Sequence, residues 1–181
     1  RRHSFPTRRS SDLSISDYLS TNMPNRSPSP RVDHIALPDG ARIEAHSEGT
    51  GMPLLLISGL GGTASFWQPC LRALTPHYQV LRLDQRGIAK SSRGTAACTI
   101  DQLADDCLAV LNHYEIDSAL IAGHSTGGCI TQSIALRYPQ RLRACVMSGA
   151  FPRTHGHVVA VVGVTFDETS PDRIFEWSLD D

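Results

Sequence analysis

Ser125 is the residue of this sequence whose setting most favours chemistry. It stands in the segment Gly123-His124-Ser125-Thr126-Gly127, between a predicted strand and a predicted helix. A sharp strand-to-helix turn lifts a serine hydroxyl clear of a sheet, and glycines are needed where side chains would collide with neighbouring backbone. The free N–H groups at the start of the helix then face the reacting centre. The pattern predicts a nucleophilic serine, and a glycine-rich helix start with a capping serine is the structural alternative.

A serine nucleophile also needs backbone N–H donors for the negative oxygen that develops on its substrate. Thr126, the residue after the nucleophile, supplies one candidate donor. The second is expected from the glycine-rich loop Ser58-Gly59-Leu60-Gly61-Gly62, which follows an earlier strand. We assign it to the N–H of Leu60, with Gly59 and Gly61 letting the backbone turn. An ordinary tight turn is the alternative.

The same loop supports a different hypothesis. Gly59-x-Gly61-x-x-Ala64 matches the G-x-G-x-x-G/A fingerprint of dinucleotide binding, and Asp84 ends the next strand at a suitable distance. A nicotinamide-dependent oxidoreductase is therefore the second candidate, although it leaves the segment around Ser125 unexplained. A catalytically incomplete fragment, or a ligand-binding protein without catalysis, is the third candidate. Serine chemistry itself requires no metal and no organic cofactor.

The elements that must position these residues alternate along the chain. Before them, Val32–Leu37 and Ala41–His46 flank the turn Pro38-Asp39-Gly40 and predict a β-hairpin. Thr99 and Gln102 are spaced as a capping box at the start of the second helix. The alternation over roughly residues 53–150 predicts an α/β fold with a mostly parallel, doubly wound sheet. The predicted strands are Pro53–Ser58, Tyr78–Leu83, Ala119–Ala122 and Ala144–Met147, and the predicted helices are Ala64–Leu74, Ile100–Tyr114 and Cys129–Tyr138.

Three ordered segments, ISGLGG, LDQRGIAKSS and GHSTGG, resemble the α/β-hydrolase superfamily in its lactonase, carboxylesterase and aminoacrylate-hydrolase-like branch. The resemblance covers roughly residues 32–150. It implies the α/β-hydrolase fold, incomplete here at its C-terminal end. It also implies a serine hydrolase that acts on a small ester, lactone, thioester or amide through an acyl-enzyme on Ser125.

Two positions depart from the family pattern. Ser58 stands where many members have His, and Ala89 replaces the second glycine of the D-x-R-G-x-G-x-S loop. We interpret Asp84 and Arg86 of that loop as structural. Ser125 separates the chain from the related haloalkane dehalogenase and epoxide hydrolase branches, which have Asp at this position.

The rest of a catalytic triad cannot be assigned from the sequence. The family order is Ser, then an acid, then His. No Asp or Glu lies between Ser125 and His157, and no His follows His157. His155 and His157 are not expected to be the base, and His124 cannot turn back onto its neighbour's hydroxyl. The triad acid and the triad histidine are therefore unknown.

Both ends of the chain depart from this pattern. Residues 1–31 are expected to be a disordered leader, and residues 1–13, RRHSFPTRRSSDL, resemble a translated sequencing adapter and are interpreted as an artefact. Residues 32–153 would be a partial hydrolase core. Residues 154–181 form an atypical tail, which a truncation or frame shift after Arg153 would explain. A genuinely short variant is the alternative.

Composition excludes several classes of protein. The 181 residues carry 17 Lys+Arg and 18 Asp+Glu, a net charge of -1. The sequence therefore lacks the excess of positive charge that indicates binding to nucleic acid or to an anionic membrane. The 40% of hydrophobic residues argues against a disordered chain. The five cysteines show no C-x-x-C spacing, so we expect no zinc site and a reducing, cytoplasmic location. The expected partner is a small-molecule substrate, and the oligomeric state is left open.

Overall fold

The computed structural model describes residues 29–150 and the two-residue strand Val164–Thr165. The described strands form one sheet in the order β1-β2-β4-β3-β5-β6-β7. The pairs β3–β4, β3–β5 and β5–β6 are parallel, whereas β1–β2, β2–β4 and β6–β7 are antiparallel. The strands are β1 Arg31–Ala36, β2 Arg42–Glu48, β3 Met52–Ile57, β4 Tyr78–Leu83, β5 Ala119–His124, β6 Leu142–Ser148 and β7 Val164–Thr165.

Three α-helices are described. They are α1 Gln68–Leu74, α2 Ile100–His113 and α3 Thr126–Arg137. A 3-10 turn, Ala64–Trp67, precedes α1, and a second one, Pro139–Arg141, follows α3. None of the helices within residues 29–150 has the length and apolar character that crossing a bilayer requires.

The core divides into two layers because side chains alternate along each strand. Leu55 and Ile57 of β3 belong to the larger layer, together with the apolar side of α2 and with Ile130 and Ile134 of α3. Leu54 and Leu56 belong to the smaller layer, on which α1 packs. Helices therefore lie on both faces of a mostly parallel sheet, as the alternating pattern predicted.

Several predicted boundaries move. The predicted helix Ala64–Leu74 begins as a 3-10 turn and becomes α-helical only at Gln68. The predicted helix Cys129–Tyr138 starts earlier, at Thr126, directly after the serine. Strand β1 begins at Arg31, one residue inside the predicted leader, where the Arg31 guanidinium contacts the Asp33 carboxylate at 2.6 Å. Residues 1–28 of the predicted leader, residues 151–153 of the predicted core, and the tail except for β7 lie outside the described residues.

The capping box at α2 forms only in part. The Thr99 hydroxyl accepts a hydrogen bond from the Gln102 backbone N–H at 3.1 Å, as predicted. The Gln102 side chain does not reach back to Thr99, whose N–H donates to the Ala97 carbonyl at 3.0 Å. Instead the Gln102 amide donates to the Asp106 carboxylate at 3.1 Å. The difference has two causes: the Ala97 carbonyl already accepts from the Thr99 N–H, and the buried Asp106 carboxylate one turn along the helix is a strong acceptor for the Gln102 amide N–H.

That carboxylate belongs to a buried ionic cluster. The Arg86 guanidinium donates to both oxygens of Asp106, at 2.9 and 2.7 Å, and it also contacts the Asp39 carboxylate. Its partners raise the pKa of Arg86, the Asp106 carboxylate most of all. The cluster joins the β1–β2 turn, the segment after β4 and helix α2, so Arg86 has the structural role expected of it.

Candidate active site

Ser125 forms the whole turn between β5, which ends at His124, and α3, which begins at Thr126. Its backbone lies at φ 54 and ψ −120, a conformation that L-residues rarely adopt. The Ser125 N–H donates to the Ser148 carbonyl at 2.7 Å, and the Ser125 carbonyl accepts from the Gly128 N–H at 2.8 Å. Strand β6 and the first turn of α3 therefore hold this turn in its strained conformation.

The glycines around the turn are required by close backbone contacts. A Cβ atom on Gly123 would lie 2.1 Å from the Gly127 carbonyl oxygen, and one on Gly127 would lie 2.2 Å from the Ile57 carbonyl oxygen. A Cβ atom on Gly59 would lie 3.3 Å from the Ser125 Cβ atom. The loop after β3 and the turn at Ser125 are therefore neighbours, as the sequence predicted.

The loop after β3 closes through one hydrogen bond, from the Gly62 N–H to the Gly59 carbonyl at 2.9 Å. Gly61 occupies the third position of this four-residue turn at φ 70, where a type II turn requires a positive φ. Leu60 occupies the second position, with its side chain 85% exposed. Its N–H takes no part in closing the turn, and the Thr126 N–H has no acceptor inside α3 because it lies in the first turn.

Side chains from the end of β4 hold this loop. The Gln85 amide donates to the Ser58 carbonyl at 2.7 Å. The Ala64 N–H donates to the Asp84 carboxylate at 2.8 Å, and the Ala64 carbonyl accepts from the Arg82 guanidinium at 3.0 Å. Sequence reasoning missed Arg82 and Gln85. The one signal that could have indicated them is their position, since Gln85 lies within the segment LDQRGIAKSS and Arg82 directly precedes it.

These contacts argue against the oxidoreductase hypothesis. A dinucleotide site would need the Asp84 carboxylate to be free for a ribose hydroxyl. Asp84 is instead buried, and its second carboxylate oxygen accepts from the Lys90 N–H at 3.2 Å. Both oxygens are thus used by the protein, in keeping with the structural role expected of Asp84.

Phe66 lies against His124, the residue before Ser125, and not in the core. The predicted helix Ala64–Leu74 has Phe66, Leu71 and Leu74 as its apolar positions, but Phe66 is 49% exposed. Its ring stacks on the His124 ring with 5.5 Å between centroids and 13° between planes. The prediction was wrong because the 3-10 turn at Ala64–Trp67 rotates Phe66 away from the α-helical face that Leu71 buries.

The described residues do not supply the rest of a triad. Their histidine–carboxylate contacts join His34 and His46 to Glu44, and His113 to Asp33. Both carboxylates belong to β1 or β2, which β4 and β3 separate from the serine-bearing β5. His155 and His157 lie outside the described residues. Within residues 29–150, no group of three His, Cys, Asp or Glu side chains is placed to bind a metal ion.

A large apolar groove of about 490 Å³ lies away from Ser125, on the sheet face that carries α1. Leu54 and Leu56 of β3, Leu120 and Ala122 of β5, and Val146 of β6 are among its lining residues. The groove does not include Ser125, Leu60 or Thr126, so it is not a site of serine chemistry.

Residues 52–173 match the sequence model of the α/β hydrolase fold family. The match spans more than half of the chain and includes both the loop after β3 and the turn at Ser125. The chain belongs to the α/β hydrolase family. The family model thus agrees with the sheet topology and with the resemblance seen in the sequence.

Several proteins similar to this chain are hydrolases by name. The protein named "Putative carbamate hydrolase RutD" of Azorhizobium caulinodans is 36% identical over 108 residues, which are 60% of this chain and 41% of that protein. A hydrolase of Pseudomonas aeruginosa PA01 superposes with a TM-score of 0.66 at 32% identity, over 70% of this chain and 48% of that one. The structure of Est816, an N-acyl homoserine lactone degrading enzyme, superposes with a TM-score of 0.63 at 27% identity, over 66% of this chain and 46% of that one. The chain therefore spans less than half of the length of these relatives.

Proposed function

We propose that the protein is a serine hydrolase in which Ser125 forms an acyl-enzyme. The observation that carries this proposal is the strained turn at Ser125, with φ 54, directly before the first turn of α3 and against the loop after β3. Backbone strain of this kind costs about 1–3 kcal/mol and persists where function requires the geometry. A structural capping serine would not need it, and the Ser125 side chain makes no capping hydrogen bond to α3.

The reaction would proceed in two steps, acylation of Ser125 and hydrolysis of the acyl-enzyme. The Ser125 oxygen forms a bond to the acyl carbon, the bond from that carbon to the leaving oxygen, sulfur or nitrogen breaks, and the serine proton passes to the leaving group. Water then attacks the acyl-enzyme, releases the acid and returns a proton to Ser125. The N–H groups of Leu60 and Thr126 would stabilise the negative oxygen in both steps. The base and the acid that would carry the proton are not assigned.

The substrate class is proposed from the chemistry of the relatives and from the surroundings of Ser125. Carbamates and lactones, named for RutD and Est816, both carry an acyl carbon open to serine attack. Leu60, in the loop that lies against Ser125, and Phe66, which stacks on the adjacent His124, are exposed apolar residues. We therefore propose a small ester, lactone, thioester or amide with an apolar part. We also propose a cytoplasmic location and no need for a metal or organic cofactor.

The test uses p-nitrophenyl acetate with the protein encoded by the complete gene. We expect a burst of p-nitrophenol and an acetyl group on the peptide that contains Ser125, detected by mass spectrometry. Ser125→Ala should abolish both. The matched control is Ser118→Ala, because the Ser118 hydroxyl contacts Arg143 at 3.1 Å, outside the site. Equal turnover in Ser125→Ala and the unmodified protein would refute the proposal, and ligand binding without any turnover would favour the non-catalytic alternative.

A further inference from the structure

The Gln85 side chain holds one specific atom of the loop that carries Leu60. Its amide nitrogen lies 2.7 Å from the Ser58 carbonyl oxygen, and both residues are buried. The same oxygen would lie 2.7 Å from a Cβ atom on Gly127, so it sits in the contact between this loop and the first turn of α3. A displacement of the Ser58 carbonyl would therefore move the loop relative to the turn at Ser125.

The far end of the loop is held independently. The backbone N–H of Ala64 donates to Asp84 and its carbonyl accepts from Arg82, and both of these charged side chains are buried. Between the two anchored ends lies only the short turn closed by Gly59 and Gly62. The position of Leu60 therefore depends on two anchors supplied by β4 and the residues that follow it.

We propose that Gln85 is a positioning residue for the oxyanion donor Leu60, an inference that rests on the function proposed above. By donating to the Ser58 carbonyl, the Gln85 amide sets the orientation of the peptide that joins Ser58 to Gly59. That orientation sets where the Leu60 N–H points relative to Ser125. Gln85 acts through the loop and touches no substrate.

The role requires a hydrogen-bond donor of this length. A glutamate of the same shape would place a second acceptor against the Ser58 carbonyl, and methionine would fill the space without donating. Because the oxyanion forms in the transition state and not in the bound substrate, a displaced donor should lower kcat and leave KM nearly unchanged. Because partial unfolding would also lower the apparent kcat, kcat is calculated per folded enzyme, and the position of the Leu60 N–H is measured separately.

The test compares Gln85→Met and Gln85→Glu with the control Gln79→Met. Gln79 lies near the start of β4, the strand that precedes Gln85, and its amide donates to the Ser47 hydroxyl at 3.3 Å. With p-nitrophenyl acetate and the protein encoded by the complete gene, we expect kcat to fall about ten- to hundredfold in both Gln85 variants. KM should stay within about twofold. Gln79→Met should keep both constants.

A second measurement tests the proposal even if the Gln85→Glu variant fails to fold. In amide NMR spectra, Gln85→Met should shift the Leu60 signal, and Gln79→Met should leave it in place. An unchanged kcat in Gln85→Met, or an unchanged Leu60 signal, would overturn the positioning role. If Ser125→Ala retains full turnover, the proposed function fails instead, and the Leu60 signal still reports whether Gln85 orients the loop.

Discussion

The backbone N–H of Ser125 donates to the carbonyl oxygen of Ser148 across 2.7 Å, which ties the strained turn to the end of β6. The parallel pairing of β5 with β6 continues to the last residue before the turn, where His124 lies opposite Ser148. The same strand pair that builds the sheet therefore also holds the candidate nucleophile. The strain at Ser125 has a measurable consequence.

We predict that Ser125→Gly is more stable than Ser125→Ala. Glycine adopts φ 54 without the steric cost that any Cβ atom meets there, a cost of about 1–2 kcal/mol. Glycine loses part of this advantage, about 0.5–1 kcal/mol, to its freer unfolded chain. The free energy of unfolding, measured by urea denaturation, should therefore favour glycine by about 1 kcal/mol. A more stable alanine variant would show that Ser125 has an ordinary backbone conformation in solution.

We predict that Gly127→Ala is strongly destabilising. Its Cβ atom would lie 2.2 Å from the backbone oxygen of Ile57, which cannot move without displacing β3. A loss of about 3 kcal/mol or more is expected in the free energy of unfolding. The control is Gly40→Ala, at φ 83 with no atom within 4 Å of the added Cβ atom, which should lose only about 1–2 kcal/mol. Equal losses in the two variants would argue against the close contact.

We predict that Asp39 stabilises the fold in a pH-dependent way. The N–H of Ala96 and the Arg86 guanidinium lower the pKa of Asp39 from 3.8 to about 2. Because the folded pKa lies below the unfolded one, the stabilisation is complete above the unfolded value. It disappears as the pH falls through about 2. Asp39→Asn should therefore be less stable at neutral pH.

The measurement for Asp39 is the melting temperature of both proteins as a function of pH. The difference between them should shrink between about pH 4 and pH 2. Asp117→Asn is a suitable control, since Asp117 is exposed and contacts Arg141 through its backbone carbonyl, at 2.6 Å. A difference between wild type and Asp39→Asn that stays constant across this range would contradict the assignment.

We predict that Ser58→Ala preserves or raises stability. The Ser58 side chain is 2% exposed, and its hydroxyl has no hydrogen-bond partner among the described residues. Removing an unsatisfied buried hydroxyl relieves a desolvation cost of about 1 kcal/mol, against which stands the loss of a small amount of packing. Chemical denaturation should show a change between zero and about 1 kcal/mol in favour of alanine. A clear loss of stability would indicate an ordered water bound to this hydroxyl.

The local elements of this protein follow from its sequence because their causes are local. Short, largely apolar segments predict strands β3 to β6, and Pro139 ends α3 near the predicted residue. The segment from Gly123 to Gly127 predicts the turn at Ser125, since the required residue types lie next to one another. The same reasoning found Thr99 as the cap of α2.

Other features depend on residues far apart in the chain. Gln85 reaches Ser58 across 27 positions, and Arg86 reaches Asp106 across 20. Neither a hydrophobic period nor a local motif specifies such a partner, which is why Gln85 was missed. Gln102 was assigned to the wrong partner because Arg86, 20 positions from Asp106, helps to fix that carboxylate beside the Gln102 amide. Phe66 was misplaced for the same reason, because contacts from β4 hold Ala64 at the start of its 3-10 turn.

The sequence by itself determined the α/β class, the serine at the strand-to-helix turn and the glycine-rich loop that precedes it along the chain. Each of these depends on consecutive residues, whose steric requirements are met by their neighbours in the chain. Only the tertiary structure decided that side chains of β4 and of the residues after it anchor the loop at both ends, and that Phe66 stacks on His124. These relationships arise when the parallel pairing of β3 with β4 and β5 brings the ends of separate strands to one edge of the sheet.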